Sequence, residues 1–320
     1  MYRIIKPIVR LAMFIFCRKL IINKAQFLKE KGPLLLACNH PNSFLDAVIL
    51  DTLFQQPIWS LARGDVFKKP FYIRLLHSLK ILPVYRTSEG VENLSNNYET
   101  FEECKKIFRN KGIVQIFSEG KCINEWHLRP LKKGTARLAF GNWEENIPLK
   151  VLPVGINYSS FRRFGKNIFI NFGNVISQND IEWNASDGLR HQSFNAILQN
   201  QFQQLVFEIE KPDKQKQKEL LEIKISIFKK ILLAIPALIG WLVHAPLYLP
   251  VRQFVYRRTN NNDHFDSIVI ALLLFTYPIY LLLITLILFF VSKSWWVFLF
   301  LLIFPFAAWS YMQVKTQLDT

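Results

Sequence analysis

The chain has 320 residues, of which 51% are hydrophobic and 14% aromatic, and its 40 lysines and arginines outnumber 24 acidic residues, giving a net charge of +16. This composition is too apolar for an ordinary soluble enzyme. In the absence of zinc-finger or RNA-binding motifs, the positive charge indicates an anionic membrane surface rather than nucleic acid. The four cysteines have neither disulfide nor metal-site spacing, so we expect a reducing compartment, no metal and no cofactor.

The first 25 residues predict a helix at the membrane surface. The stretch is apolar, but lysines and arginines recur through it and no small-residue cleavage site follows, which disfavours a signal peptide. An amphipathic helix within residues 1–25 fits better, with its basic residues held to anionic headgroups.

Residues 26–210 predict an α/β domain, because short apolar runs alternate with helical patterns. The expected strands are 34–38, 58–62, 81–85, 113–117, 150–156 and 167–172. The expected helices are 45–54, 70–79, 94–110 and 133–141. We therefore expect a sheet flanked by helices.

A membrane region, residues 231–320, follows a lysine-rich helical connector at 211–230. Residues 267–291 and 295–312 are long and apolar enough to cross a bilayer core, which takes about 20 residues. They predict a transmembrane hairpin, because two buried core helices would need a larger soluble core around them. Prolines, a glycine and a histidine interrupt residues 231–250, so crossing the bilayer and re-entering or lying in its interface both remain open.

Basic residues set the expected orientation of the hairpin. Arg252, Arg257 and Arg258 precede it and Lys315 follows it, whereas the link between the spans carries Lys293. By the positive-inside rule, the outer ends and the α/β domain face the cytoplasm. We expect an integral membrane protein whose α/β domain folds without the membrane region. The sequence predicts no particular oligomeric state.

A candidate catalytic pair lies where the strand at 34–38 ends. Asn39 and His40 close this strand, and Asp46 follows inside the next predicted helix. A strand-to-helix turn exposes reactive side chains in α/β folds, and the N-terminal dipole of the helix points to the same crevice. His40 is a natural general base, and Asp46 can orient its ring and stabilise the imidazolium. The pair predicts a dyad that activates a substrate hydroxyl, with a plain helix cap as the alternative.

Four sequence blocks resemble the glycerolipid acyltransferase family, whose type member is 1-acyl-sn-glycerol-3-phosphate acyltransferase. Residues 39–46 resemble its His–Asp signature. The later blocks, in the family's order, are ILPVYR at 81–86, FSEGKCINEWHLRPLKKG at 117–134 and VLPVGINY at 151–158. The resemblance covers residues 30–180. It implies transfer of a fatty acyl group from acyl-CoA or acyl carrier protein to a lysophosphatidate-type acceptor, with membrane phospholipids as partners.

The same resemblance implies roles for single residues. Arg86 would bind the acceptor's phosphate through charge-assisted hydrogen bonds. Glu119 and Gly120 would bind a substrate hydroxyl or orient Arg86. Lys121 and Lys133 would attract the phosphate.

Two departures from the family pattern leave the acceptor open. Four residues commonly separate the family's histidine and aspartate, whereas five separate His40 from Asp46. Ser118 replaces a proline of the third block. Lys121 and Cys122 stand where threonine and arginine are usual, and Lys121 would supply the positive charge. Glycerol 3-phosphate, dihydroxyacetone phosphate and an aminolipid precursor are alternative acceptors, and a catalytically inactive lipid-binding protein is the alternative from another class.

The remaining reactive residues have plainer interpretations. Cys122 beside His127 suggests an acyl-carrying nucleophile, but no recognisable partner set accompanies it. The other histidines have no ligand spacing and are expected at the surface or in packing; they are His77, His191, His244 and His264.

Overall fold

The computed structural model describes residues 1–85 and 96–318, so Arg86, the expected phosphate ligand, lies outside the described residues. The strands are β1 (Cys17–Ile22), β2 (Leu34–Cys38), β3 (Ile58–Arg63), β4 (Ile81–Val84), β5 (Ile113–Phe117), β6 (Lys150–Tyr158) and β7 (Lys166–Phe172). Within the described ranges they form one seven-stranded sheet in the order β1-β7-β6-β2-β5-β3-β4. Neighbouring strands run parallel, except for the antiparallel pair β6 and β7. The α/β fold with a helix-flanked sheet is confirmed.

The α-helices in the described part are α1 (Tyr2–Phe16), α2 (Phe44–Leu53), α3 (Pro70–Ser78), α4 (Asn96–Arg109), α5 (Gly134–Trp143), α6 (Asp187–Leu205), α7 (Lys214–Leu221), α8 (Ile227–Arg258), α9 (Phe265–Ser292) and α10 (Phe300–Val314). The start of the helix expected at 94–110 lies outside the described residues. Helices α1 and α2 cover one face of the sheet, and α4, α5 and α6 cover the other.

Strand β2 lies near the middle of the sheet and is buried on both faces. Leu34, Leu36 and Cys38 join the core under α2, while Leu35 and Ala37 join the core on the opposite face. Successive side chains of a strand point to opposite faces, so a strand covered on both sides is apolar throughout. The turn after β2 therefore emerges at the carboxyl edge of the sheet, where α/β folds place their sites.

Strand β1, like helix α6, is an element that the sequence analysis missed. It pairs in parallel with β7, so residues 17–22 belong to the sheet rather than to a surface helix within 1–25. Arg18 is 7% exposed, and its guanidinium donates to Asn167 Oδ1 at 2.7 Å and Gln313 O at 3.1 Å. Residues far away in the sequence thus accept the hydrogen bonds of Arg18. The charge of Arg18 had suggested that residues 17–22 lie at the surface.

Helix α1 has an apolar outward stripe, and two of its basic residues reach back to α2. Lys6 donates to Phe54 O at 3.1 Å and Arg10 to Thr52 O at 2.6 Å, both at the C-terminal end of α2. The outward stripe is apolar and between 53% and 70% exposed; it comprises Ile4, Ile8, Leu11 and Phe14. An exposed stripe of this kind suits a bilayer interface. These two basic residues therefore hold α1 to the domain, not to headgroups.

Among the described residues, the helices long and apolar enough to cross a membrane are α8, α9 and the segment Trp295–Val314. Helix α8 is continuous despite Pro236, Pro246 and Pro250. It packs closely on α10, because a Cβ atom at Gly240 would lie 2.1 Å from Ala307 O. Small residues permit such close backbone approach between membrane helices.

Candidate active site

The turn between β2 and α2 places His40 at the carboxyl end of a central strand. The Asn39 side chain fixes the strand end, because it donates to Ile156 O at 3.0 Å and accepts from Ile156 N at 2.7 Å. Ser43 precedes α2 with a φ of +56°, in the left-handed region. This sharp reversal brings Asp46, in the first turn of α2, back towards His40.

His40 and Asp46 form a hydrogen-bonded pair. His40 Nδ1 lies 2.9 Å from Asp46 Oδ2; the Asp46 side chain is 0% exposed and that of His40 is 18% exposed. A carboxylate only accepts, so Nδ1 carries the proton and Nε2 carries the lone pair at the opposite edge of the ring. The His40 ring stacks on Phe117 with the centroids 3.8 Å apart, which fixes its plane. This arrangement can take a proton from a hydroxyl group.

Asp46 is held by one side chain and one backbone group that the sequence analysis missed. Tyr158 OH donates to Asp46 Oδ1 at 2.6 Å, and the Asn42 backbone N–H donates to Oδ2 at 2.8 Å. Burial raises the pKa of Tyr158 well above its ordinary value, so its hydroxyl stays a donor. These donors fix the direction of the carboxylate. Tyr158 is the last residue of the fourth block, which is the signal that could have identified it.

Glu119 positions the backbone of His40. One carboxylate oxygen accepts the His40 backbone N–H at 2.7 Å, and the other accepts the Arg129 N–H at 2.9 Å. Glu119 is 5% exposed, and this burial raises its pKa. The expected contact of Glu119 with a substrate hydroxyl or with Arg86 stays a prediction, and the structure adds that each carboxylate oxygen accepts a backbone N–H beside the site.

His40 faces a cleft of about 2250 Å³ that the expected substrate residues Gly120, Lys121 and Lys133 also line. Gly120 turns the chain after β5 with a φ of +66°. The cationic residues of the lining include Arg63, Lys121, Lys132, Lys133 and Arg137. An apolar part, from α2 and α9, comprises Phe44, Val48, Ile270, Leu274 and Phe275. The histidine therefore lies where a charged and an apolar wall of one cleft meet.

Cys122 and His127 have other partners than each other. Cys122 Sγ accepts the Ser43 N–H at 2.9 Å, and burial raises the pKa of the thiol, which keeps it protonated and unreactive. His127 Nδ1 lies 2.6 Å from Glu208 Oε2. In the described part of the chain, no group of three or more His, Cys, Asp or Glu side chains could hold a metal ion.

His264 joins the site from the membrane region. Its Nδ1 lies 2.6 Å from Ser43 Oγ, and it lines the same cleft as His40. We expected only a surface or packing role for His264, because no local pattern links two residues 221 positions apart. Burial lowers the pKa of His264, so at neutral pH its uncharged ring accepts the Ser43 hydroxyl.

This lowered pKa predicts an acid-sensitive contact. Below the ordinary histidine pKa, His264 is protonated in the unfolded chain but still neutral in the folded protein. The free energy of unfolding therefore falls as the pH falls. Replacing His264 with glutamine keeps an acceptor without a titrating ring. Between about pH 7.5 and about pH 5.5, we expect the melting temperature of the native protein to fall further than that of His264→Gln. Equal falls in parallel thermal melts would contradict the assignment, since all other titrating groups are common to both proteins.

Comparison with known proteins places this domain in a family. A family model described as Acyltransferase matches residues 19–157, from β1 to near the end of β6. Solved structures that match include 1-acyl-sn-glycerophosphate (LPA) acyltransferase, PlsC, from Thermotoga maritima, at 18% identity and a TM-score of 0.43, covering 63% of this chain and 79% of that one. No curated protein sequence gives a significant match. Residues 19–157 therefore match the Acyltransferase family, and by this match the chain contains an acyltransferase domain.

Proposed function

We propose that the protein transfers a fatty acyl group from an acyl thioester to the free hydroxyl of a lysophosphatidate-type acceptor, as a step of phospholipid biosynthesis. The observation that carries this proposal is the His40–Asp46 pair at the junction of the cationic and apolar walls of one cleft. A lipid with a phosphate and a hydroxyl needs these features side by side. Acyl-CoA or acyl carrier protein would supply the thioester.

His40 is the general base of the proposed mechanism. Its Nε2 takes the proton of the acceptor hydroxyl while the hydroxyl oxygen attacks the thioester carbonyl carbon. Asp46 stabilises the imidazolium that forms, and the bonds from Tyr158 and Asn42 keep the carboxylate in place. The tetrahedral intermediate then expels the thiolate, which receives the proton from His40. The products are the new ester and the free thiol.

The cationic wall suits the phosphate of the acceptor. Lys133 precedes α5, whose N-terminus carries the positive end of the helix dipole, and the first turn, Gly134 to Arg137, adds a cation there. Backbone N–H groups at a helix N-terminus, together with Lys121 and Lys133, form a favourable environment for a phosphate group. By the sequence resemblance, Arg86 would contribute to the same subsite.

The apolar wall suits the acyl chain of a lipid drawn from the bilayer. Ile270, Leu274 and Phe275 of α9 line the cleft, and the same helix is long and apolar enough to cross a membrane. A chain that passed along α9 would reach His40 without crossing bulk water.

We propose that α9 and α10 form a transmembrane hairpin whose outer ends adjoin the α/β domain on the cytoplasmic side. Asp266 at the start of α9 and Gln313 near the end of α10 both contact that domain. Near the ends of α8, Lys229 donates to Gln313 Oε1 at 2.9 Å and Arg162 donates to Thr259 O at 3.3 Å. Two ends beside one domain favour a continuous α8 that lies in the membrane interface over one that crosses the bilayer, and the surplus of basic residues there favours the cytoplasm.

Removing charge from the cationic wall tests the acceptor class. We expect Lys121→Gln combined with Lys133→Gln to raise the KM for lysophosphatidate by about tenfold, because charge-assisted contacts to phosphate are lost. The KM for an unphosphorylated monoacylglycerol should change little. Initial rates with labelled acyl-CoA and with acyl carrier protein, measured against both acceptors, give the comparison and identify the donor.

Lys216→Gln is the matched control, since Lys216 is an exposed lysine on α7. Its rates should equal those of the native protein for every acceptor. Faster acylation of glycerol 3-phosphate, dihydroxyacetone phosphate or an aminolipid precursor than of lysophosphatidate would show that the proposed acceptor is wrong. Binding of lipids without acyl transfer to any acceptor would favour the inactive lipid-binding alternative.

A further inference from the structure

We propose that the first turn of α9 with the residues just before it, 263–267, is a positioning element of the active site as well as the start of a membrane helix. The inference rests on the proposed function, because it assigns a role towards the His40–Asp46 pair. Asp266 is the central positioning residue. Through Asn42 it fixes the carboxylate that holds the catalytic histidine.

Asp266 forms a buried ion pair with Lys166 of β7, and the two side chains are 1% and 0% exposed. Lys166 Nζ also donates to Ser160 O at 2.6 Å. Two charges removed from water lose hydration that their mutual attraction only partly offsets, so apolar residues in their place often give an equally stable protein. Stability alone therefore explains poorly why this ion pair is present. Its contacts with the active site explain it better.

Asn42 connects the ion pair with the dyad. Its side-chain amide donates to Asp266 Oδ2 at 2.7 Å, and its backbone N–H donates to Asp46 Oδ2 at 2.8 Å. Asn42 is 0% exposed, so its backbone follows any change in its side-chain anchor. Asp46 Oδ2 is also the atom bonded to His40 Nδ1. A displaced Asn42 would therefore change the direction in which His40 Nε2 points.

Further hydrogen bonds join residues 263–267 to the β2–α2 turn and to the chain that packs on it. One of the residues involved, Asn124, also contacts the turn directly, since its side chain donates to Pro41 O at 2.7 Å. The contacts are Ser43 Oγ with His264 Nδ1 at 2.6 Å, Leu45 N with Ser267 Oγ at 3.2 Å, and Asn124 N with Asp263 Oδ1 at 3.1 Å. The start of α9 thus contacts successive residues around the dyad, and its placement and the geometry of the dyad are linked.

Two double variants of the full-length chain isolate this role. Lys166→Met with Asp266→Leu removes both charges and the acceptor for Asn42. Lys166→Met with Asp266→Asn removes both charges but keeps an acceptor oxygen. We expect kcat to fall about 10- to 100-fold in the leucine variant and to stay within about threefold of native in the asparagine variant. The KM for the acceptor should change less than about twofold in both, because positioning rather than binding is lost.

Asn42→Ala breaks the same hydrogen bond from its other end and leaves the ion pair intact, so it should reproduce the loss of kcat even if the leucine variant folds poorly. Gln317→Ala is the matched control. Gln317 links the region after α10 to the domain through Asn167 and Ile223, away from the dyad. We expect it to lower the melting temperature and to leave kcat unchanged.

A readout that needs no substrate separates this inference from the proposed function. The His40 Nδ1–H proton, bonded to a carboxylate, should give a far-downfield NMR resonance in the native protein and the asparagine variant. It should broaden or disappear in the leucine variant and in Asn42→Ala. Absence of acyl transfer by the native protein would overturn the proposed function alone. Equal resonances in all four proteins, or native kcat in the leucine variant and in Asn42→Ala, would overturn the positioning role.

Discussion

We expect His40→Ala to lower kcat for acyl transfer by roughly 10² to 10⁴-fold, the usual contribution of a general base. The fold should survive, because Glu119 holds residue 40 through its backbone N–H, which alanine retains. Asp46 keeps its bonds from Tyr158 and Asn42 in this variant. Steady-state rates with labelled acyl donor, alongside a thermal melt of the same sample, measure both outcomes.

His77→Ala is the matched control for the loss of a histidine. His77 is exposed on α3 and contacts the ring of Trp59. Its rates should remain native. A near-native rate in His40→Ala would rule out the proposed mechanism, whereas a lost rate together with a lost cooperative melt would show that the residue acts through folding.

We expect a chain cut after Lys230 to fail to fold, which reverses the expectation from the sequence. The α/β domain depends on the membrane region for partners of buried polar groups; these groups are Arg18, Lys166 and Asn167, whose partners are Gln313, Asp266 and Gln317. Removing one partner of a buried ion pair costs about 3 to 5 kcal/mol. Loss of all three contacts would remove much of the roughly 5 to 15 kcal/mol that stabilises a typical domain. Gel filtration and far-UV melts of the shortened chain provide the measurement.

Expression of residues 1–230 and 231–320 as two separate chains in one cell is the control for this truncation. If the missing partners are the cause, the two fragments should associate and recover activity. A monomeric shortened chain with a cooperative melt would instead show that the domain is independent of the membrane helices.

The sheet could be predicted largely because its central strands are covered on both faces. β2 and β5 are short apolar runs bounded by polar turns, a local pattern typical of buried parallel strands. β1 has no such pattern, since Arg18 and Lys19 interrupt its apolar residues. The burial of Arg18 depends on Asn167 and Gln313, which the sequence places 149 and 295 positions away. Only the tertiary fold brings these partners together.

The same distinction applies to the site. His40 and Asp46 lie six positions apart, so one turn of chain suggests their pairing. Tyr158 lies 112 positions from Asp46, and Asp266 lies 224 positions from Asn42, so local patterns carry no signal for either contact. The sequence resemblance singled out Glu119 but gave no sign of its two backbone contacts, because these depend on which N–H groups the fold brings to face it.

The outward apolar stripe of α1 affects which membranes could hold the protein through that helix. Attraction of basic side chains to a surface potential weakens with salt and vanishes on an uncharged bilayer. Insertion of Ile4, Leu11 and Phe14 depends instead on the apolar area that they bury. It is therefore insensitive to salt and to the charge of the bilayer. A zwitterionic membrane would therefore hold α1 about as well as an acidic one. The net charge of +16 is then available to concentrate anionic lipids near the cleft, a kinetic role rather than an anchoring one.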